Sequence, residues 1–202
     1  MSKSSNSPPV AAAAFQQYAG RLEGVLAGAD WIGVAALAEE LADCVGAQRQ
    51  VFICGNGGSA ANATHIANDF LYGISKSYGK GLRVHALPAN TSVMTCLAND
   101  EGYEAVFSHQ LAVMANRDDV LIVLSGSGNS ANVLRALETA QELGLRSYAI
   151  MGFTGGKAKD LADTAIHFPI DDMQISEDMQ LIVAHMIMQW LYARHSASAI
   201  GK

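Results

Sequence analysis

Beyond residue 47, short apolar runs alternate along the chain with amphipathic segments. The apolar runs have the length of buried β-strands, and in order they read QVFICG, RVHAL, DVLIVL, RSYAIMG and TAIHFPI. The segments between them repeat apolar residues with a helical period. Strands that alternate with helices predict right-handed crossovers and a parallel sheet covered by helices on both faces. The pattern therefore predicts an α/β fold.

The same pattern predicts where the helices lie. After the first strand they are expected at residues 59–73, 91–98, 103–115, 131–144, 155–162 and 174–195. Before it, an Ala- and Leu-rich stretch at residues 10–47 predicts two helices that break near AGADW, with Asp30 as a candidate cap of the second. Each of these two helices carries an apolar stripe that needs a partner surface, in the same chain or in another subunit. Residues 1–9 read as a disordered tail, and residues 10–197 as a single domain.

The amino-acid composition and the charge distribution limit which kinds of partner the protein can bind. Half of the 202 residues are hydrophobic, which suits one domain with a sizeable core. The net charge is -6 and no Lys/Arg cluster is present, so we expect no nucleic-acid partner. No apolar run reaches the ~18–20 residues of a membrane span, and MSKSSNSPPV is not followed by a signal-peptide core. We expect a cytoplasmic protein with no membrane partner, in which Cys44, Cys54 and Cys96 are reduced thiols.

A first glycine-rich loop follows the first predicted strand and opens a helix. Glycines let the backbone turn sharply and let a ligand approach its N–H groups. The loop matches neither the dinucleotide fingerprint nor the P-loop, so a structural turn and a ligand loop remain equally supported. As a ligand loop it offers Asn56, Gly57, Gly58 and Ser59.

A second loop, SGSGNS, lies between the third predicted strand and its helix. Three hydroxyls and several free amides converge there at a helix N-terminus, where the helix dipole favours an anion. A capped turn needs one serine rather than three, so this pattern favours a phosphate site. The candidate residues are Ser125, Gly126, Ser127 and Ser130.

Two histidines and two carboxylates lie on predicted helices near these loops. His65 and Asp69 are four residues apart and share a helix face. Glu177 and His185 lie roughly 80° apart around the last helix and two turns apart along it, so they could converge on one site. By itself, His185 in LIVAHMIM is typical of a core histidine. As a set, the four residues suit zinc or another divalent ion, or without a metal, proton transfer next to a carbonyl.

The remaining polar candidates are less specific. Asn99 and Asp100 follow a predicted short helix, and Asp100 could bind sugar hydroxyls or cap the next helix. The other histidines have no informative neighbours and are interpreted as structural or surface residues: His85, His109, His167 and His195.

Four segments together resemble one known family. They are CGNGGSAANATHIANDF, LAND, LSGSGNSANVLRALETAQELG and TGGK. They are similar to the phosphoheptose isomerases of the sugar isomerase (SIS) domain superfamily, in the same order, from about residue 10 to 195. The resemblance implies a three-layer α/β/α sandwich with a parallel sheet and preceding N-terminal helices. It also implies a homotetramer with sites between subunits.

The resemblance assigns roles to individual residues. Ser125, Ser127 and Ser130 match the family's phosphate loop, whereas Asn56, Gly57, Ser59 and Asp100 match its substrate-loop residues. His65 and His185 fall on its metal-ligand histidines, with one Zn²⁺ per subunit as the implied cofactor. The catalytic residues would be Asp69, Glu177 and His185, and the metal ligands His65, Asp69, Glu177 and His185.

Four positions depart from the family's pattern. Asp69 stands where a Glu is usual, and Glu177 stands where a Gln is usual. Gly73 replaces an expected arginine, and Gln174 replaces a common Asp. The first two exchanges could move the acid–base carboxylate from one helix to the other. They could equally indicate a different phosphosugar, or a relative with no isomerase activity.

The resemblance implies an aldose–ketose isomerase that acts through an enediol on a phosphorylated sugar. In the family, sedoheptulose 7-phosphate becomes glycero-manno-heptose 7-phosphate, an early step towards the heptose of lipopolysaccharide or capsule. The alternatives are an isomerase of another phosphosugar, and a non-catalytic SIS protein that binds a phosphosugar or the replication initiator.

Overall fold

The computed structural model describes residues 10–200, except for the side chains of residues 10, 77, 78 and 195–200. The predicted tail at residues 1–9 and the side chain of His195 therefore lie outside the described residues. The α-helices and β-strands are, in chain order, α1 Val10–Gly28, α2 Ile32–Ala47, β1 Gln50–Gly55, α3 Gly58–Asn68, α4 Ile74–Tyr78, β2 Arg83–Ala86, α5 Thr91–Asp100, α6 Ser108–Met114, β3 Val120–Ser125, α7 Ala131–Leu143, β4 Arg146–Met151, α8 Ala158–Leu161, β5 Thr164–His167 and α9 Met173–Ile200.

Contacts divide the chain after Asp30, so α1 forms one unit and the chain from Trp31 onward forms another. Within α1, the Arg21 guanidinium lies 5.5 Å from the centroid of the Tyr18 ring, a cation–π contact one turn along the helix. The Phe15 side chain is exposed.

The second unit is built on a five-stranded parallel sheet in the order β2-β1-β3-β4-β5. β1 and β3 are buried along their whole length, as expected for strands covered by helices on both faces. This confirms the predicted α/β sandwich. The connections from β1 to β2 and from β3 to β4 lead in opposite directions across the sheet. A crevice therefore opens between the carboxyl ends of β1 and β3, where ligands of such sheets bind.

On one face of the sheet, the core contains large apolar side chains from the strands, α6 and α7. Phe52, Leu121 and Val123 from the strands are fully buried, as are Phe107 and Leu111 beside and within α6. Full burial of a side chain of this size contributes about 1.5–3 kcal/mol relative to leaving it exposed. This core fixes the strand ends that carry the two glycine-rich loops.

A buried carboxylate connects α2 to the sheet. The Glu40 side chain is 7% exposed and forms ion pairs with Arg49 at 2.6 Å and with Arg146 at 2.9 Å. Arg49 precedes β1 and Arg146 begins β4. One carboxylate therefore attaches α2 to the amino ends of two strands.

Several helix boundaries differ from the sequence-based prediction. The helix expected at residues 59–73 is α3 followed by a π-helical turn, Asp69–Gly73, closed by a hydrogen bond from the Ile74 amide to the Asp69 carbonyl. The helix expected at 103–115 begins instead as a 3₁₀ turn, Tyr103–Ala105, that precedes α6. Asp30 is not the cap residue of α2, because Trp31 occupies that position.

The cysteines are free thiols, with Cys44 and Cys54 buried and Cys96 exposed. Burial raises the pKa of the Cys44 thiol to about 12, so this group stays protonated near neutral pH. Along the described residues, no helix combines the length and the apolar character that crossing a membrane requires.

We expect Glu40→Ala to lower the free energy of unfolding by about 1–3 kcal/mol, because both arginines would lose their buried partner. The loss stays below that of a fully buried pair because the Arg146 side chain is 59% exposed. Urea denaturation measures it. Glu39→Ala is the matched control, since Glu39 pairs with Arg194 at the surface and should cost less than about 1 kcal/mol. Equal losses for the two variants would contradict the structural role of Glu40.

Candidate functional site

The two glycine-rich loops meet in a cleft at the crevice between β1 and β3. The cleft has a volume of about 260 Å³. Its walls contain both loops and two side chains from the start of α9: Asn56, Gly57, Gly58, Ser59, Leu124, Ser125, Gly126, Ser127, Ser130, Met173 and Glu177. The structure thus brings together nearly all of the predicted loop residues.

A pair of asparagines holds the two loops together. The Asn56 and Asn132 side chains exchange two hydrogen bonds of 2.8 Å, and the Tyr103 hydroxyl donates a third to the Asn56 oxygen at 3.0 Å. Asn132 lies in the first turn of α7, directly after the second loop. The Asn56 side chain, predicted to bind substrate, therefore uses most of its hydrogen-bonding capacity to fix the width of the cleft.

Gly58 makes room for a carboxylate at the first loop. The Glu177 carboxylate lies directly against the Gly58 Cα, and a Cβ at this position would overlap its atoms. Gly58 thus leaves the space that the Glu177 carboxylate occupies. As a result, the Glu177 side chain is placed in the cleft beside both loops.

The second loop keeps serine hydroxyls available for a ligand. The Ser125 hydroxyl accepts a hydrogen bond from the Gly128 amide at 3.0 Å, and the Ser127 hydroxyl accepts one from the Asn129 amide at 3.3 Å. Ser130 is the N-cap residue of α7 but makes no side-chain cap bond. The loop's turn uses Ser125 and Ser127 only as acceptors, so their protons can be donated to an anion at the helix N-terminus.

Asn99 and Asp100 lie outside the cleft, and their expected role in substrate binding stays a prediction. Both lie exposed in the last turn of α5 and are absent from the walls of the cleft. The Asp100 carboxylate accepts hydrogen bonds from the Asn99 amide at 2.7 Å and from the Cys96 thiol at 3.4 Å. The neighbouring Tyr103 makes the observed contact with the first loop instead.

α3 and α9 pack side by side and run in the same direction. Three contacts join the helices in ascending residue order on both: Gly58 with Glu177, Asn62 with Gln180 at 2.9 Å, and His65 with His185. This order requires that the two helices are parallel. This α3–α9 seam leads from the cleft towards a cluster of ionisable side chains. Its residues continue the site beyond the loops.

At the far end of the seam, His65, Asp69 and His185 form a compact triad. The two Nε2 atoms are 3.2 Å apart, and Asp69 Oδ2 lies 3.4 Å from each of them. The ligand atoms of a tetrahedral ion bound at ~2.0–2.2 Å are separated by roughly 3.4 Å, so the triangle has the dimensions of three ligand positions. Both imidazoles are nearly half exposed, which leaves a fourth position open. The residues therefore fit a divalent metal ion with an open coordination site.

Among the described residues, Glu177 does not join this group of metal-type ligands. It precedes His185 by eight residues, which is ~12 Å along a helix axis. Of the four expected ligands, His65, Asp69 and His185 therefore lie together, whereas the Glu177 carboxylate lies separately in the cleft.

The π-helical turn Asp69–Gly73 begins at the triad. Such turns insert one extra residue per turn and are frequent at functional sites. Here the turn begins at Asp69 itself. At its other end Gly73 lies against α9, and a Cβ added to Gly73 would come within 2.9 Å of the Met188 Sδ atom. The Tyr192 hydroxyl donates a hydrogen bond to the Gly73 carbonyl. Residue 73, where the resemblance expects an arginine, is thus packed against α9.

His85, His109 and His167 lie outside the triad. His85 stacks on Phe52 and hydrogen-bonds to Gln50 at 3.1 Å, and burial lowers its pKa. His167 donates a hydrogen bond to the Phe153 carbonyl at 3.0 Å.

Sequence reasoning missed four residues of the site: Asn62, Tyr103, Asn132 and Gln180. Gln180 is completely buried. It stands in the apolar stretch QLIVAHMIM, where a buried amide needs a partner. That signal was available, but the partner could not be identified from sequence.

Comparisons with known proteins agree on one family. The family model of the SIS domain matches residues 14–152. A curated protein from Helicobacter pylori, a phosphoheptose isomerase, is 43% identical over 150 residues, which cover 74% of this chain and 77% of that protein.

Two solved structures of phosphoheptose isomerases share the fold. The one from Francisella tularensis has a TM-score of 0.85 and 24% identity, over 92% of this chain and 100% of that chain. The one from Neisseria gonorrhoeae has a TM-score of 0.81 and 27% identity, over 91% of this chain and 97% of that chain.

We expect the triad to bind about one divalent ion per chain in equilibrium dialysis against Zn²⁺ or Co²⁺. His65→Ala and His185→Ala should each weaken this binding by more than about 100-fold, since loss of a direct ligand exceeds the ~10–100-fold effect of outer partners. His109→Ala is the control, because His109 lies outside the triad. Unchanged affinity in both triad variants would show that the ion binds elsewhere.

Proposed function

The chain belongs to the SIS domain family and, within it, to the phosphoheptose isomerases, and from this premise we propose that it interconverts sedoheptulose 7-phosphate and glycero-manno-heptose 7-phosphate. The family consists of aldose–ketose isomerases, so the chain is an enzyme of this class. The observation that carries the proposal is the α3–α9 seam, which joins a two-loop cleft to a His/Asp/His triad. A sugar phosphate needs an anion site and a site for chemistry at a carbonyl, and the seam supplies both.

The second loop is the proposed phosphate site. Its Ser125 and Ser127 hydroxyls have protons free to donate, and Ser130 has no cap bond to break. The N-terminus of α7 adds backbone amides and a favourable dipole. The carbon chain would then run past the first loop and along the seam.

The triad is the proposed site for Zn²⁺, one per chain. Two imidazoles and one carboxylate with an open position are a common ligand set of catalytic zinc. When bound there, Zn²⁺ would supply Lewis-acid stabilisation of a substrate oxygen. In this scheme His185 is a ligand rather than a proton carrier, because its Nε2 faces His65 and Asp69.

Glu177 is the proposed acid–base group. Asp69 Oδ2 lies between the two histidine nitrogens, whereas the Glu177 carboxylate lies in the cleft outside the triad. Glu177 would take a proton from C1 of the ketose and return it to C2 of the enediol. The O1 proton passes to the adjacent O2, so the aldose forms with no net change in atoms or electrons. The exchanges at positions 69 and 177 thereby separate metal binding from proton transfer.

The pathway and the assembly extend this proposal. The heptose product would serve synthesis of lipopolysaccharide or capsule in the cytoplasm, and the chain would assemble as a homotetramer. In support of assembly, α2, α9 and the half-buried Trp31 line one groove, where α9 exposes the large apolar side chains of Met186 and Trp190. Sedimentation velocity measures the assembly, and a monomer at micromolar concentration would contradict it.

We expect turnover of sedoheptulose 7-phosphate in an NMR assay with Zn²⁺ present, and loss of turnover after chelation. Glu177→Gln should lower kcat by about 10²–10⁴-fold without weakening metal binding, because it removes only the acid–base group. Asp69→Asn should weaken metal binding as well. Glu138→Gln, on α7 away from the cleft, is the control.

The same assay separates the alternatives. Turnover of a different phosphosugar alone would replace the substrate while retaining the isomerase. A chain that binds sugar phosphates but turns none of them over would instead be the non-catalytic SIS protein.

A further inference from the structure

We propose that Gln180 is a positioning residue that directs the Ser59 hydroxyl proton into the cleft, and this inference rests on the proposed function. Gln180 is completely buried in the α3–α9 seam, between the cleft and the triad. Its side-chain hydrogen bonds go to Asn62 and Ser59 rather than to the triad. It acts through the direction of one hydrogen bond.

The direction follows from a chain of amides that begins at a backbone carbonyl. The Asn62 Nδ2 lies 3.0 Å from the Glu177 carbonyl oxygen, which can only accept, so this end of Asn62 must be the donor. The same Nδ2 lies 2.9 Å from the Gln180 side chain, which must therefore present its oxygen there. The amide nitrogen of Gln180 then faces Ser59 Oγ at 3.0 Å and donates to it.

As a consequence, the Ser59 hydroxyl is an acceptor on its buried side and its own proton is left for another partner. The Ser59 side chain is 4% exposed and forms part of the wall of the cleft. In the part of the chain that the structure describes, no hydrogen bond is donated by this hydroxyl. A buried donor without an acceptor is unfavourable, and an oxygen of the bound sugar phosphate would satisfy it.

Gln180→Glu tests the direction of this bond with little change in shape. The introduced carboxylate can still accept from Asn62, but it would also accept the Ser59 proton and withdraw it from the cleft. We expect sedoheptulose 7-phosphate to bind about 3–10-fold more weakly, the effect of one neutral hydrogen bond. Relative to the parent protein, the weakening should grow as pH rises from about 6 to 9, because burial raises the pKa of the introduced carboxyl group towards this range. The protonated form can donate to Ser59 as the amide does, whereas the ionised form cannot.

A double-mutant cycle with Ser59→Ala provides the decisive measurement. If the proposal is correct, Gln180→Glu will have no further effect on sugar-phosphate binding once Ser59 is replaced. Additive losses in the cycle, or a loss that is independent of pH, would overturn it. Gln180→Met is the second variant in case the acidic one does not fold, and its loss should likewise vanish in the Ser59→Ala background.

Two controls separate positioning from general damage. Gln110→Glu places an acidic residue at another buried glutamine, on α6, and should lower the melting temperature without changing sugar-phosphate binding. Metal affinity of the Gln180 variants should stay within about twofold of the parent protein. Turnover of sugar phosphate by the parent protein tests the proposed function. The dissociation constants measured in the double-mutant cycle test the role of Gln180, independently of turnover.

Discussion

The site depends on the crevice that the order of the parallel strands creates. β1 is followed in the chain by β2 on one side of it, and β3 is followed by β4 on the other side. The segments that leave the carboxyl ends of β1 and β3 therefore run in opposite directions and leave a crevice between them. Both glycine-rich loops begin at this point. The reciprocal pair of Asn56 and Asn132 then sets the distance between them. A cleft for a small ligand therefore follows from topology, with two amides fixing its width.

The α3–α9 seam extends this cleft into a site with two chemical environments. Near the loops, serine hydroxyls and backbone amides favour an anion and polar groups of a sugar. At the other end, two imidazoles and a carboxylate have the spacing of metal ligands. The buried amides between them, Asn62 and Gln180, keep the two helices in register. Register matters because a shift of one residue along α9 would move His185 by ~1.5 Å and rotate it by ~100°.

The two carboxyl exchanges have a consistent physical meaning. Asp69 has a shorter side chain than the usual Glu, and it lies between the two histidine nitrogens at equal distances. Glu177 introduces a second carboxylate, and Gly58 leaves the space for it at the first loop. In the proposed mechanism, Asp69 binds the metal ion and Glu177 transfers the proton. Gly73 is a third position at which the chain differs from the family's usual residue. Because residue 73 is a glycine, the π-helical turn packs closely against α9.

The amino-acid sequence was sufficient to predict the α/β class, the strands, both loops and the shared helix face of His65 and Asp69. These features are local, because strand and helix periods and loop composition act over a few residues. Tertiary packing, in contrast, places Glu177 in the cleft and His185 in the triad, and it leaves Asn99 and Asp100 exposed on α5. It also decided that Asn132 and Gln180 belong to the site. Such relations depend on how α9 packs against α3 and on the strand order, which join residues more than 100 positions apart in the chain. Periodicity along a helix gives the face on which a side chain lies, but the neighbouring helix determines what that face meets.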